Sequence, residues 1–194
     1  MGTREEILEN VRKNQPAPRA LPPVPSFHRE SRAFVETFEE ALKSMAGEFV
    51  DRPPTDFGSF LRERFPGAKN ICSSVPEYRG NMGPEDFADW ADAAEIDVTI
   101  VRSPMGVAAT GSVVLSEKEL GVNTIAFLAH DIVILLDPKN IVENIHDAYQ
   151  HPAFREAKYA VLMTGPSGTG DIGGVTLHPA QGVTTLTVIL WPEA

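Results

Sequence analysis

What the sequence lacks narrows it first. It holds a single cysteine, Cys72, which excludes an internal disulfide. The same count excludes a conventional iron–sulfur cluster carried by this chain alone, since such a cluster needs several thiolate ligands. The surroundings of that cysteine, Asn70-Ile71-Cys72-Ser73-Ser74, read as a buried strand rather than as a nucleophile. No apolar run is long enough for a transmembrane helix. Met1 to Asn14 lacks the apolar stretch of a signal peptide, so a cytoplasmic location is expected. Basic residues are in deficit, 17 against 27 acidic ones, for a net charge of −10. Nucleic acid and anionic membrane both require a positive face, so neither is an expected partner. A small anion is still admissible, because one local pocket can hold it. His146 and His151 are not spaced to share a helix face, and no metal site is expected.

What is present supports one domain with an N-terminal extension. The chain has 194 residues, 42% of them hydrophobic, enough for a sizeable core. Residues 1–28 read as a helix plus a proline-rich linker, and residues 29–194 as the domain. Thr3-x-x-Glu6 is a capping box before Ile7, Leu8 and Val11, which share one face. Pro16, Pro18, Pro22, Pro23 and Pro25 then forbid regular structure. Tethered this way, the helix could dock on its own domain or on a partner, and docking on its own domain is expected.

Beyond the linker, helix and strand signals alternate, which argues an α/β class. Phe34, Val35, Phe38, Leu42 and Met45 recur at helical spacing over Ser31 to Ala46. Phe49-Val50 begins a short strand. Thr55 is the expected cap of a helix carrying Phe57, Phe60 and Leu61. Ala68 to Val75 reads as a strand, and Gly83-Pro84-Glu85-Asp86 as the start of a helix with Phe87 and Trp90 inward. Val98 to Val101 and Val107 to Leu115 are β-rich, with Ser103-Pro104-Met105-Gly106 between them as the turn of a hairpin. Asn123 to Leu128 and Asp131 to Leu136 look like strands. Asp137-Pro138 should open a helix bearing Ile141, Val142, Ile145 and Ala148. Lys158 to Met163 and Val183 to Leu190 are the last strand-like runs.

Between those two runs lies the stretch with most chemical content, rich in glycine at positions 165, 168, 170, 173 and 174. Gly165-Pro166-Ser167-Gly168-Thr169-Gly170 matches the first six positions of a P-loop. Asp171-Ile172 then stands where Lys and Ser or Thr are required, so the ammonium that reaches the phosphates is missing. Gly168-Thr169-Gly170-Asp171-Ile172-Gly173 matches G-x-G-x-x-G, but too little chain follows for a dinucleotide-binding unit. G-x-S-x-G also fails around Ser167. Two readings stay open: a ligand-binding loop with exposed N–H groups at a strand's carboxyl end, or a glycine-rich turn joining two strands.

Thr164-Gly165-Pro166-Ser167-x-Thr169-x-Asp171-Ile172 resembles the C-terminal signature of the LUD-domain family, in its lactate utilization protein C group. Two earlier segments agree. Ala108 to Leu115 resembles the family's central Thr-Gly-[Ser/Thr] strand, and His130-Asp131-Ile132-Val133-Ile134 its histidine-containing strand. Three positions depart from the pattern. Ala109 stands where an acidic residue is usual, Gly168 where a basic one is common, and Gln181-Gly182 where a His-Gly pair is common.

The resemblance implies an open, mostly parallel sheet flanked by helices, similar to the ribose-phosphate isomerase and CoA-transferase group (NagB/RpiA/CoA-transferase-like), with a β-hairpin-rich portion. It implies a component of a lactate-utilization system that supports oxidation of L-lactate to pyruvate beside iron–sulfur partner proteins. The clusters would reside in those partners, and no cofactor is expected in this chain. It also brings Thr110, Gly111 and Ser112 toward Gly165, Pro166, Ser167, Gly168, Thr169, Gly170 and Asp171, a set of hydroxyls and N–H groups suited to a small anion. His130 is the candidate general base or anion donor, and His178 a second. Each also reads as a histidine satisfied within a turn. Asp171 could orient a histidine, hold a substrate hydroxyl or cap a helix. A triad could be written from Ser167, His130 and Asp171. Whether the chain is itself an enzyme stays open, with no redox cofactor site or complete catalytic motif in view. The competing reading is a stand-alone enzyme or sensor for a phosphorylated or CoA-linked small molecule. Self-association is left open.

Overall fold

The computed structural model describes residues 3–20, 22, 25, 33–87, 90–172 and 175–193. In chain order the helices and strands are α1 (Arg4–Lys13), α2 (Phe34–Ser44), β1 (Glu48–Val50), α3 (Phe57–Arg64), β2 (Ile71–Ser73), β3 (Val98–Ser103), β4 (Gly106–Val107), β5 (Ser112–Ser116), α4 (Glu117–Leu120), β6 (Asp131–Leu136), β7 (Ile141–Val142), α5 (Ile145–Gln150), α6 (Pro152–Arg155), β8 (Ala160–Met163), β9 (Thr169–Ile172), β10 (Val175–Leu177) and β11 (Thr185–Leu190). Short 3-10 segments lie between several of them.

The central sheet is parallel throughout, in the order β1-β11-β6-β3-β2. Its middle strand shows why. Every residue of β6 is buried. Because side chains alternate across a strand, Ile132, Ile134 and Leu136 join one apolar cluster with Phe38 and Leu42 of α2. Val133 and Leu135 join another on the opposite face, with Phe57 and Leu61 of α3. A strand covered on both faces must be apolar at consecutive positions, which is what a parallel sheet between helices demands.

A second sheet, β7-β4-β5-β8, stacks beside the first, with β4 parallel to β7 and the other pairs antiparallel. A third unit is a two-stranded antiparallel ribbon, β9 with β10. The α/β class, the mostly parallel sheet and the hairpin-rich part expected from sequence are therefore all present.

Several local expectations change. Ser103 to Gly106 is not a hairpin turn but the passage from the first sheet to the second. The Ser103 hydroxyl receives the Met105 N–H and lies 2.7 Å from the Val114 carbonyl, turning the chain out of β3. The hairpin forms later, within 106–116, around a turn holding Gly111 at φ 63°. Asn123 to Leu128 is a 3-10 turn (Asn123–Ala126) rather than a strand, its carbonyl at Ile125 taken by the Thr99 hydroxyl. A short apolar run has no period that separates the two states.

Asp137 caps only one 3-10 turn, through the Lys139 N–H. Ile141 and Val142 then extend beside β4, and Asn144 starts α5 with its own capping box. The β-branched pair gains more from a ladder than from a helix face. Asp56, not Thr55, caps α3 by accepting the Ser59 N–H. Pro84 to Asp86 makes a single turn before Phe87 is extended again; the Trp90 side chain lies outside the described residues. The capping box of α1 forms as expected, but the helix buries nothing: Ile7 is 58% exposed and Val11 56%. Docking of α1 on its own domain is thus corrected.

Candidate functional site

Thr110 and Gly111 occupy the turn between β4 and β5, and Ser112 opens β5. β8 runs antiparallel to β5, with Met163 opposite Val113. That register places Thr164 next to Ser112. The result is a chain of hydroxyls: Thr110 Oγ1 to Ser112 Oγ at 2.7 Å, then Ser112 Oγ to Thr164 Oγ1 at 2.5 Å. Two segments more than fifty positions apart therefore meet in direct contact.

The glycines at this junction serve the fold first. Gly111 (φ 63°) and Gly165 (φ 64°) both sit in the left-handed region. A methyl group on Gly111 would overlap the backbone of Leu42, and one on Gly165 the carbonyl of Met45. Both glycines thus let the motif segments lie directly on the C-terminal turn of α2. The close approach expected for a ligand is made here by the protein's own main chain.

Beyond Gly165 the loop is also internally bonded. Pro166 is buried. The Ser167 N–H donates to the Val183 carbonyl, and the Ser167 carbonyl accepts the Ala180 N–H. Gly168 is exposed, with the His178 ring packed over it and His178 Nδ1 3.1 Å from the Ser167 carbonyl. Thr169, Gly170 and Asp171 belong to β9, so the expected loop ends in a ribbon; Gly170 has open space where a side chain would be. The Asp171 side chain, Gly173 and Gly174 lie outside the described residues. β8 belongs to the second sheet, so Thr164 is not at a carboxyl end of the parallel sheet as expected. The chain instead crosses to the amino end of β11.

An open cleft of about 250 Å³ remains beside the junction, lined by Phe127, Leu162 and Met163 together with Thr164 to Ser167 and Gln181 to Val183. No Lys, Arg or His is among these described lining residues. It can offer hydroxyls, a carboxamide and apolar contact. Gln181 and Gly182 were noted in the sequence only as a departure from a pattern, and the fold makes them part of the wall.

His130 stands elsewhere. It lies at the amino edge of the parallel sheet, in a second cleft of about 390 Å³ with Arg64, Phe65, Asp97, Asp131, Thr184 and Thr185. The two clefts share no lining residue and adjoin at Val183–Thr184. The triad writable from Ser167, His130 and Asp171 is replaced at His130 by Asp131, 2.9 Å from Nδ1, and Thr184, 3.4 Å from Nε2. Thr184 and Thr185 were missed in the sequence. The available signal was two hydroxyl residues at the mouth of an apolar strand. Asp97 faces the same cleft, and the N–H groups of Asn70 and then Lys69 hold its carboxyl below the ordinary range, with His130 adding to the effect. Cys72 is buried as expected, and burial pushes its thiol up to about 11. No helix among the described residues is long and apolar enough to cross a membrane.

The LUD domain family model matches residues 24–191. The chain belongs to the LUD-domain family. A solved structure of a DUF162 family protein from Deinococcus radiodurans shares the fold with this LUD-domain chain. It has a TM-score of 0.61 at 13% identity, covering 81% of this chain and 95% of that one. No curated protein matches the sequence. The three motif segments quoted from the sequence all lie within the matched range, and two of them make the Ser112–Thr164 contact.

Proposed function

We propose that this LUD-domain protein is a component of a lactate-utilization system, supporting oxidation of L-lactate to pyruvate beside iron–sulfur partner proteins. Its contribution would be binding rather than electron transfer. The observation that carries this reading is the contact between the Thr110-Gly111-Ser112 turn and Thr164, which ties one family segment to the other where the latter lines a cleft. The lining chemistry favours a partner surface over a phosphate cradle. Hydroxyls and apolar side chains are at hand, whereas the Ser167 N–H and both left-handed glycines are already engaged within the fold. Val175 and Leu177, 60% and 44% exposed on the neighbouring ribbon, add apolar surface of the kind an interface covers. A small carboxylate held by Thr164 and Ser167 is the second occupant of the same cleft.

Two measurements test this. Affinity purification of the tagged full-length chain from lactate-grown cells should retain iron–sulfur proteins in stoichiometric amount. Deletion should abolish growth on L-lactate while sparing growth on glucose. Unchanged growth on lactate removes the pathway assignment. A thermal shift with sugar phosphates or CoA esters, and none with L-lactate or partners, would favour the stand-alone enzyme instead.

A further inference from the structure

The cleft at the amino edge of the sheet holds groups that the reading above does not use. Asp131 is 9% exposed and makes two contacts: its Oδ1 accepts the Thr185 hydroxyl at 2.6 Å, and its Oδ2 lies 2.9 Å from His130 Nδ1. A carboxylate can only accept there, so it holds the Nδ1–H tautomer of neutral His130. The Nε2 lone pair is then left facing the cleft. The hydroxyl it meets is that of Thr184, at 3.4 Å. Nucleophile, base and orienting carboxylate thus stand in the order that acyl transfer requires, with the nucleophile contact at the looser end common before substrate binds. The segment is firmly placed, because the Thr184 N–H donates to the His130 carbonyl at 2.6 Å and the His130 N–H to Ile96. Phe65, Pro66 and Ala68 supply an apolar wall in a space of about 390 Å³ that fits a small molecule.

We propose that Thr184, His130 and Asp131 form a hydrolytic site for small carboxylic esters with a short acyl group. His130 Nε2 takes the Thr184 hydroxyl proton as Oγ1 bonds to the ester carbonyl carbon. The bond from that carbon to the alcohol oxygen then breaks, and the alcohol leaves with the proton from His130. Water, deprotonated by the same nitrogen, adds to the acyl-threonine. The acid departs and the threonine hydroxyl regains its proton. Ester and water give acid and alcohol, with no other reactant. Arg64 lines the same cleft, but its guanidinium is paired with Glu48 and takes no part in the step; Asp131 acts as a positioning residue through His130. The site is independent of the glycine-stretch cleft, so it stands or falls separately from the lactate assignment.

The test uses the full-length chain with p-nitrophenyl acetate and a fluorophosphonate probe. Hydrolysis should exceed that of the Thr184→Val and His130→Gln variants by about 100-fold or more in kcat/KM. Mass spectrometry should place the phosphonyl adduct on Thr184. Thr184→Ser should keep both turnover and adduct, and His130→Gln should lose the adduct with its thermal midpoint unchanged, since the His130 side chain is 66% exposed. Turnover no faster than that of Thr184→Val, an adduct on another residue, or equal labelling in His130→Gln would each overturn the proposal.

Discussion

The two clefts lie on either side of one short segment, Gly182 to Thr185, yet are built from different materials. The glycine-stretch cleft is a product of backbone packing. Gly165 in its wall and Gly111 beside it press on the end of α2, and its polar side chains are Thr164, Ser167 and Gln181, with Thr164 linked to Ser112 and Thr110 behind it. The histidine cleft is a product of strand ends. The central strands β3, β6 and β11 begin in register, Val98 and Thr185 both paired with Asp131, so the polar residues just before or at each start are gathered on one edge. Asp97, His130, Asp131, Thr184 and Thr185 come from three separate parts of the chain in this way. A parallel sheet thus collects chemistry at its edge without any local motif, whereas a glycine motif marks where the chain must pass closely over itself.

The sharpest way to break this contrast is to add a methyl group to each kind of glycine. Gly165→Ala and Gly111→Ala each combine a left-handed backbone with overlap on α2 and should cost about 3 kcal/mol or more. Gly170→Ala, with open space around it, should stay within about 0.5 kcal/mol. Urea midpoints decide; equal effects at positions 165 and 170 would mean that the glycines do not serve packing. Removing the middle hydroxyl comes next. Ser112→Ala should cost about 1–2 kcal/mol, because it leaves Thr164 and Thr110 each short of a partner. The same support can be strengthened. Ala46 closes α2 at φ 61°, and Ala46→Gly should stabilise the protein by about 1 kcal/mol.

Acid titration probes the other cleft. Asp97 is held below its unfolded value by two N–H groups, so its contribution is present above about pH 4. That contribution is lost as pH falls through the folded value. Asp97→Asn should therefore be less stable at pH 7 and converge on the native protein below about pH 4. A constant offset between the two urea curves at all pH values would remove that account. The smallest effect belongs to α1. Ile7→Ser and Val11→Ser should change stability by less than about 0.5 kcal/mol, as the helix covers nothing. A larger loss would show that α1 rests on the domain in solution.

Much of the fold was legible because it rests on local pattern. The capping box at Thr3, the helical spacing from Phe34 to Leu42 and the run Asp131 to Leu136 each carry their own periodicity or cap. Errors fell where the local signal is degenerate. Ile141-Val142 suits a helix or a ladder, and only the presence of β4 beside it decides. The site divides the same way. Thr110 to Ser112 and Thr164 to Ser167 could be named from their motif, but the use of Gly111 and Gly165 against α2 could not. Nothing in their neighbours names Leu42 or Met45.

By itself the sequence determined the α/β class, the buried strands and the family signature, because apolar runs, helical spacing and short motifs act through neighbouring residues. Only the tertiary structure decided which hydroxyls touch, where the glycine stretch leads and what His130 faces. Those depend on strand order and register, which bring together residues 54 positions apart such as His130 and Thr184. No stretch of the chain short enough to read locally contains both.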